Sequence, residues 1–402
     1  MIRKIAHYTG EVKGEINISG SKSESNRLLI LQSNFPNLRL KNLSNSDDTK
    51  YLGKALDGKK NLVDISHAGT AMRFLTAHFA SHEGYDLELT GSERMQNRPI
   101  RILVDALRSM GAEISYAKKE GYPPLKIKGK NLEVKKVSIQ GNVSSQYISA
   151  LLLMAPGLKN GLEIELQGKV TSVPYIKMTL ALLEEIGVEF SWDDNLIRIK
   201  PKKAIEDKEI TVESDWSSAS YFFSLVALSD KGKVKLTSYK EDSLQGDSSL
   251  VEIYKHFGVS AHFENDRLIL QKETKEIGPL VLDLSDSPDL AQTIAVTCFG
   301  EGIACDLTGL HTLKIKETDR LVALEQELTK LGAEIEVTDK SLHLKPRKKL
   351  NKDVLIETYD DHRMAMAFAP LALLVPIRIN DADVVTKSYT DFWSDFDKVL
   401  GN

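Results

Sequence analysis

Four short segments of this 402-residue chain concentrate side chains able to handle anions and protons. Ser21-Lys22-Ser23-Glu24-Ser25-Asn26-Arg27 sets two cations and three serine hydroxyls within one loop and helix turn. Hydroxyls and backbone N–H groups suit phosphate oxygens, and a guanidinium can grip an anion bidentately. The glycine spacing of a nucleotide P-loop is absent. Arg94-Met95-Gln96-Asn97-Arg98-Pro99 follows a strand-like Leu87-Glu88-Leu89-Thr90. Proline suits the first helical position, so Arg98 would point toward whatever that helix start faces. In Lys316-Glu317-Thr318-Asp319-Arg320 the cations are four apart and Glu317 is three from Arg320, so on a helix all three share one side. Asp360-Asp361-His362-Arg363 leads into Met364-Ala365-Met366-Ala367-Phe368-Ala369, a helix too apolar to be exposed. Charges that lead a buried helix must be paired, ligated or wet. Taken singly, the first three segments also fit plainer readings: a capped helix with solvated cations, a surface arginine, an i,i+4 charge face. His78 and His82 stand four apart like a metal pair, but no third ligand accompanies them.

The elements that must carry these segments form a repeat. Six polar helix starts open into apolar, small-residue helices: the Ser21 and Asp360 segments, Ala68-Gly69-Thr70-Ala71-Met72-Arg73, Ser144-Ser145-Gln146, Asp215-Trp216-Ser217-Ser218-Ala219-Ser220 and Pro288-Asp289-Leu290-Ala291-Gln292. Aligned on Arg27, Arg73, Gln146, Ser220, Gln292 and Arg363, they are 46, 73, 74, 72 and 71 residues apart. A helix N-terminus offers free N–H groups and a favourable dipole to anions. In phase with these starts, four helices run into glycine (Gly111, Gly187, Gly258, Gly332) and then into alternating, hairpin-like sequence. One unit therefore reads strand, helix, strand, helix, hairpin. The short first interval fits a unit trimmed by one hairpin, since residues 57–60 leave no room for it. About half a unit follows Arg363, and residues 1–20 are expected to supply its missing strands.

Bulk properties exclude several classes. The length calls for two domains or more, and 42% hydrophobic with 27% charged residues describes a globular chain. A net charge of −4 gives no long-range pull on nucleic acid or an anionic membrane, so any anion site is local. Cys298 and Cys305 alone supply neither a disulfide framework nor a zinc site. The start lacks a signal-peptide stretch, and the longest apolar run, residues 364–377, is too short to span a bilayer. A cytoplasmic location is expected, with no nucleic-acid or membrane partner.

The Gly20–Arg27, Ala68–Arg73, Arg94–Pro99, Ser144–Gln146, Lys316–Arg320 and Asp361–Met366 motifs, in that order and spacing, resemble the 3-phosphoshikimate 1-carboxyvinyltransferase (5-enolpyruvylshikimate-3-phosphate synthase) family. The resemblance runs from Lys13 to about Lys398. It implies an α/β fold, a two-domain inverse α/β barrel of six βαβαββ repeats, here with the first truncated. Domain I would comprise residues 1–20 and 214–402, domain II residues 21–213, with the active site in the cleft between them. It also implies a reaction, in which phosphoenolpyruvate and shikimate 3-phosphate give 5-enolpyruvylshikimate 3-phosphate and phosphate through a tetrahedral adduct. No metal or organic cofactor is implied, and a monomer is expected.

Carried over residue by residue, the resemblance puts Lys22, Ser23, Arg27, Ser144, Ser145, Gln146, Ser172, Tyr175, Asp289, Thr312 and Lys316 around shikimate 3-phosphate. Lys22, Gly69, Arg98, Gln146, Arg320, Arg363 and Lys387 would hold phosphoenolpyruvate. Asp289 would take the proton of the 5-hydroxyl, Glu317 would protonate the methylene carbon, and Lys22 would stabilise charge in the adduct. Two substrates bring roughly −5 to −6 in phosphate and carboxylate charge. Lys22, Arg27, Arg98, Lys316, Arg320, Arg363 and Lys387 would nearly balance it, leaving Asp289 and Glu317 as base and acid. Departures from the family pattern are Glu24 inside the first motif, His67 and Thr312 in place of asparagine, and Phe74 in place of proline. The alternatives are a UDP-N-acetylglucosamine enolpyruvyl transferase, which normally uses a loop cysteine, and a catalytically silent anion-binding repeat protein. This chain has no cysteine before Cys298, and mere binding needs no acid and base.

Overall fold

The computed structural model describes residues 1–58, 60–142, 144–274, 276 and 278–401, so Lys59 of the trimmed segment lies outside the described residues. The chain divides into two compact units, Gly20–Val212 and Met1–Ser19 with Glu213–Asn402.

In the unit Gly20–Val212, three of the six helix starts open the core helices Lys22–Asn34, Gly69–Ala80 and Ser145–Met154. Apolar and small side chains on nearly every position let them pack on all sides: in Gly69–Ala80 every residue but Thr70 is buried. Polar groups within such helices must find internal partners. Thr76 Oγ1 donates to the Met72 carbonyl at 2.6 Å, and Thr179 Oγ1 donates to Ser149 Oγ at 3.0 Å.

The sheets follow one plan. Leu62–Asp64, Asp86–Thr90, Leu125–Lys128 and Glu113–Tyr116 lie side by side in that order, the first pair parallel and the rest antiparallel. Lys136–Gln140, Leu162–Gln167, Leu196–Ile199 and Phe190–Asp193 repeat it. Strand residues alternate; in Lys136–Gln140 only Val137 and Ile139 are buried, so one face covers the helices and the other meets water. The helix before each hairpin ends near a glycine in left-handed conformation, with φ of 95° at Gly111 and 77° at Gly187. The first repeat is cut down to a parallel pair, Leu38–Lys41 with Lys208–Thr211.

The second unit is built on the core helices Trp216–Leu228, Ala291–Glu301 and His362–Phe368. A seam of hydroxyls ties the first two, Ser220 to Thr293 at 3.0 Å and Thr297 to Ser224 at 2.9 Å, and Tyr254 of the helix Leu250–Lys255 joins it at Thr297, 2.9 Å away. Leu280–Asp283, Cys305–Thr308, Leu342–Leu344 and Ile335–Val337 form one full sheet.

Residues 1–20 were expected to complete the last repeat, and only part of that segment does so. Arg3–Ile5 pairs antiparallel with Ile377–Ile379 of the last repeat. Val12–Ile16 instead runs parallel to Gly232–Thr237, as the leading strand of the fourth repeat. The strand that precedes the fourth helix in sequence, Lys208–Thr211, is occupied beside Leu38–Lys41, which leaves that edge open for Val12–Ile16.

His78 and His82 serve packing. Their ring centroids are 4.3 Å apart, His78 is 2% exposed beside Phe79 and Tyr85, and its Nε2 lies 3.4 Å from Ser33 Oγ. Among the described residues no three His, Cys, Asp or Glu side chains are grouped to hold a metal. Burial, and secondarily His82, push the His78 pKa from 6.5 down to about 3. The unfolded chain takes up this proton near pH 6.5 and the folded one does not, so stability falls as pH drops below 6.5. Urea denaturation between pH 6.5 and 4 is expected to show a loss of about 3 kcal/mol from this group. His78→Phe should remove that slope, and an undiminished slope refutes the assignment.

Candidate functional site

Six of the proposed side chains meet in the unit that ends the chain. Arg320, the first residue of the helix Arg320–Leu331, is 2% exposed. Its Nε donates to Asp361 Oδ2 at 2.6 Å, Nη1 to Asp289 Oδ1 at 2.8 Å and Nη2 to Glu317 Oε2 at 2.8 Å. Each carboxylate sits at a different chain turn. Asp289 lies in the 3-10 turn Pro288–Leu290 before a core helix, Glu317 three residues before Arg320, and Asp361 caps His362–Phe368 by accepting from Arg363 N at 2.9 Å.

Further cations complete the group. Lys316 Nζ lies 3.3 Å from Asp289 Oδ1, Arg363 Nη2 donates to Asp289 Oδ2 at 3.1 Å, and Lys387 Nζ donates to Glu317 Oε1 at 2.7 Å. Arg363 Nη2 also donates to Ser217 Oγ at 3.2 Å, and Ser217 donates a very short hydrogen bond to buried Asp247. Burial works against charge on Arg320, but Asp361, Glu317 and Asp289 outweigh it and raise its pKa. Burial likewise opposes charge on Arg363, where Asp289 leads the groups that raise it. Lys316 goes the other way: burial lowers its pKa despite Asp289. Burial, reinforced by Asp289, pushes Asp247 up to about 6 against Arg363 and Ser217.

The unit Gly20–Val212 holds the remaining residues in smaller groups. Arg27 is 2% exposed and spends four of its five N–H donors on Thr179 Oγ1 (2.7 Å), the Ser23 carbonyl (2.8 Å), Ser149 Oγ (3.0 Å) and the Tyr175 carbonyl (3.3 Å). It lies over the Phe74 ring at 5.5 Å, so the aromatic departure from the family pattern packs beneath this cation. Burial lowers its pKa to about 10, with Tyr175 and Glu24 opposing. Gly69 begins a core helix directly under Arg98: a Cβ there would lie 2.5 Å from Nη1, so any larger residue would push the guanidinium aside. Gln146 Nε2 donates to Thr70 Oγ1 at 3.2 Å, joining two helix starts, and Lys22 Nζ is 3.7 Å from buried Asp48. Ser144 precedes Ser145–Met154 and Ser172, with φ 53°, precedes Val173–Glu185, the helix that carries Tyr175; each stands at the N-cap position without a side-chain capping bond. His67 packs edge-on to Tyr51 at 6.0 Å, and Thr312 lies in the 3-10 turn His311–Ile315 just before Lys316.

One correction follows. The charge balance struck from sequence omits three acids: Asp361, Asp247 and Asp48 stand beside the same cations. Around Arg320, four cations face four carboxylates, so an arriving anion competes with acids already in place. Sequence reasoning noted Asp361 and Ser217 inside their helix starts without a role, and Asp247 went unremarked because nothing in the spacing of the Gln245-Gly246-Asp247 loop signals chemistry.

Repeated βαβαββ units thus carry polar helix starts and turns that gather cations around a pair of carboxylates. The structure is similar to an EPSP synthase from Acinetobacter baumannii, with a TM-score of 0.77 at 20% identity over 98% of both chains. It is also similar to the enolpyruvyl transferase NikO from Streptomyces tendae, with a TM-score of 0.74 at 14% identity over 99% of this chain and 97% of that one. In sequence, the EPSP synthase (3-phosphoshikimate 1-carboxyvinyltransferase) family model matches residues 49–396. A 3-phosphoshikimate 1-carboxyvinyltransferase of Bacteroides fragilis is 44% identical over 99% of this chain and 98% of its own length. One from Haemophilus influenzae is 38% identical over 96% of both. The chain belongs to the EPSP synthase family.

Removing Asp361 would strand the Arg320 Nε in a dry site and uncap a core helix. Asp361→Ala is expected to cost about 3–5 kcal/mol in urea denaturation, the range for breaking one side of a buried ion pair. A loss below 1 kcal/mol would mean that Arg320 is adequately held by Asp289 and Glu317 alone.

Proposed function

We propose that this chain transfers the enolpyruvyl group of phosphoenolpyruvate to the 5-hydroxyl of shikimate 3-phosphate, releasing phosphate. The observation that carries this reading is the pair Asp289 and Glu317, held on the two terminal nitrogens of one buried guanidinium and each backed by its own lysine. One carboxylate is thereby placed to take a proton and the other to give one, on a scaffold that does not need to reorganise.

In this reading Asp289 accepts the 5-hydroxyl proton as that oxygen bonds to C2 of phosphoenolpyruvate, and Glu317 delivers a proton to C3. The tetrahedral adduct then returns a C3 proton to the Glu317 carboxylate as the bond from C2 to the phosphate oxygen breaks, forming the enol ether, and the phosphate leaves with the proton held by Asp289. Lys22 and Arg98, with Arg320, Arg363 and Lys387, neutralise the phosphate and carboxylate of phosphoenolpyruvate. Arg27, Ser23, the Ser144-Ser145-Gln146 cap, Ser172 and Tyr175, together with Lys316 and Thr312, receive shikimate 3-phosphate. The groups of both units would act on one pair of substrates, without metal or organic cofactor, in a cytoplasmic monomer. Among the described residues no helix is long and apolar enough to cross a membrane. Both cysteines are buried, Cys298 in a core helix and Cys305 in a strand, which speaks against a loop-cysteine mechanism on a sugar nucleotide.

Phosphate release from phosphoenolpyruvate, measured with chelator present, should require shikimate 3-phosphate. Release with UDP-N-acetylglucosamine alone would move the assignment to that reaction, and release with neither would leave a binding protein. Glu317→Gln should bind both substrates yet turn over about 10²–10⁴-fold more slowly. Unchanged turnover would remove Glu317 from the proton-donor role.

A further inference from the structure

Beneath the acid–cation cluster lies a group with no part in the reaction as written. Asp247 sits in the 3-10 turn Gly246–Ser249 and is 4% exposed. Oδ2 accepts the hydroxyl proton of Ser217, and Oδ1 is buried with no hydrogen-bond partner among the described residues. Ser217 Oγ accepts in turn from Arg363 Nη2 at 3.2 Å, the nitrogen that also serves Asp289 at 3.1 Å. Four groups from four elements thus form one line: Asp247, Ser217, Arg363, Asp289. The charges facing Asp247 are Asp289 from the turn Pro288–Leu290, Arg363 from His362–Phe368 and Asp215 from the cap of Trp216–Leu228.

A serine has one proton to give. While Asp247 is ionised, that proton is committed to Oδ2, and Ser217 can offer Arg363 and its surroundings lone pairs only. If Asp247 carries a proton, the carboxyl can donate to Ser217 Oγ instead, which frees the serine hydroxyl to donate elsewhere. An anion on Arg363 is the acceptor that would reward the exchange, and its charge would also disfavour an ionised Asp247 nearby. We propose that Asp247 is a positioning residue of the Arg363 anion site: on anion binding it takes up one proton from solvent, and the Ser217 hydroxyl turns from Asp247 to the anion. The proposal rests on the reading above only in taking Arg363 as an anion ligand. Burial already holds the Asp247 pKa at about 6 before any anion arrives, so the exchange falls in a range where proteins are readily studied.

The test uses sulfate, whose charge is constant over the range, titrated calorimetrically into the intact protein in two buffers of different ionisation enthalpy. Wild type should take up protons as it binds, and its dissociation constant should rise about sixfold from pH 5.5 to 7.5, the effect of moving the Asp247 pKa one unit above 6. Asp247→Asn, whose amide can donate to Ser217 permanently, should show no proton uptake and hold its affinity within about twofold. Ser217→Ala should bind several-fold more weakly than wild type at pH 5.5 and equally at pH 7.5, which keeps the proposal testable if the asparagine variant does not fold. Equal proton uptake in wild type and Asp247→Asn, or a Ser217→Ala deficit that ignores pH, overturns it. In turnover, the ratio of wild-type to Asp247→Asn KM for phosphoenolpyruvate should rise with pH while the kcat ratio stays flat. A purely structural role would give a constant KM ratio. Sulfate binding needs no turnover, so failure of the enolpyruvyl reading and failure of this one are seen separately.

Discussion

A guanidinium taken almost wholly out of water must have its N–H donors met, and carboxylates meet them most strongly. Arg320 meets that condition with three, and they come from three separate turns of the chain. Its position therefore fixes the start of Ala291–Glu301 through Asp289, the approach to its own helix through Glu317, and the start of His362–Phe368 through Asp361. Lys316, Arg363 and Lys387 take their places from carboxylates that Arg320 already holds. The same contacts stabilise the fifth and sixth repeats and hold Asp289 apart from Glu317, so the fold and the proposed chemistry draw on one set of bonds.

The other unit handles its buried arginine differently. Among the described residues, all four hydrogen bonds that Arg27 donates end on neutral hydroxyls and carbonyls. The outcome shows in the ionisation: carboxylates raise Arg320, whereas burial lowers Arg27 to about 10. A cation whose hydrogen bonds leave its charge uncancelled exerts more pull on a phosphate than one already matched by acids. The Arg98 guanidinium likewise rests against the bare backbone of Gly69.

Periodicity made the architecture legible. Helix starts at near-constant spacing and glycines in phase with them, such as Gly258 and Gly332 with φ of 68° and 102°, are local signals that survive any arrangement of sheets. Strand partnership is not local. Nothing in Val12–Ile16 or Lys208–Thr211 marks which sheet each will join, because both are short alternating segments that fit the edge of either. The site divides the same way. Residues in dense motifs, such as Glu317 and Arg320, stood out, while Asp247 owes its character to what is packed around it, and burial cannot be read from an isolated aspartate. Arg27 looked like a substrate ligand in a loop of hydroxyls; that it also bolts three helices together required Ser149 and Thr179, more than 120 residues away.

The exchange of strands also sets an order on biosynthesis. Every sheet of the unit Gly20–Val212 can close once residue 211 has been made. The other unit must wait: Val12–Ile16 finds its partner only when residues 232–237 emerge, and Arg3–Ile5 only when residues 377–379 do. On a ribosome the amino-terminal segment is thus kept unpaired through most of translation, with two edge-forming strands exposed while the inserted unit folds behind them. The Lys, Glu and Arg side chains that stud both segments, Arg3 and Lys4 in one and Lys13 and Glu15 in the other, are the kind of residues that keep such waiting strands from pairing with the wrong neighbour.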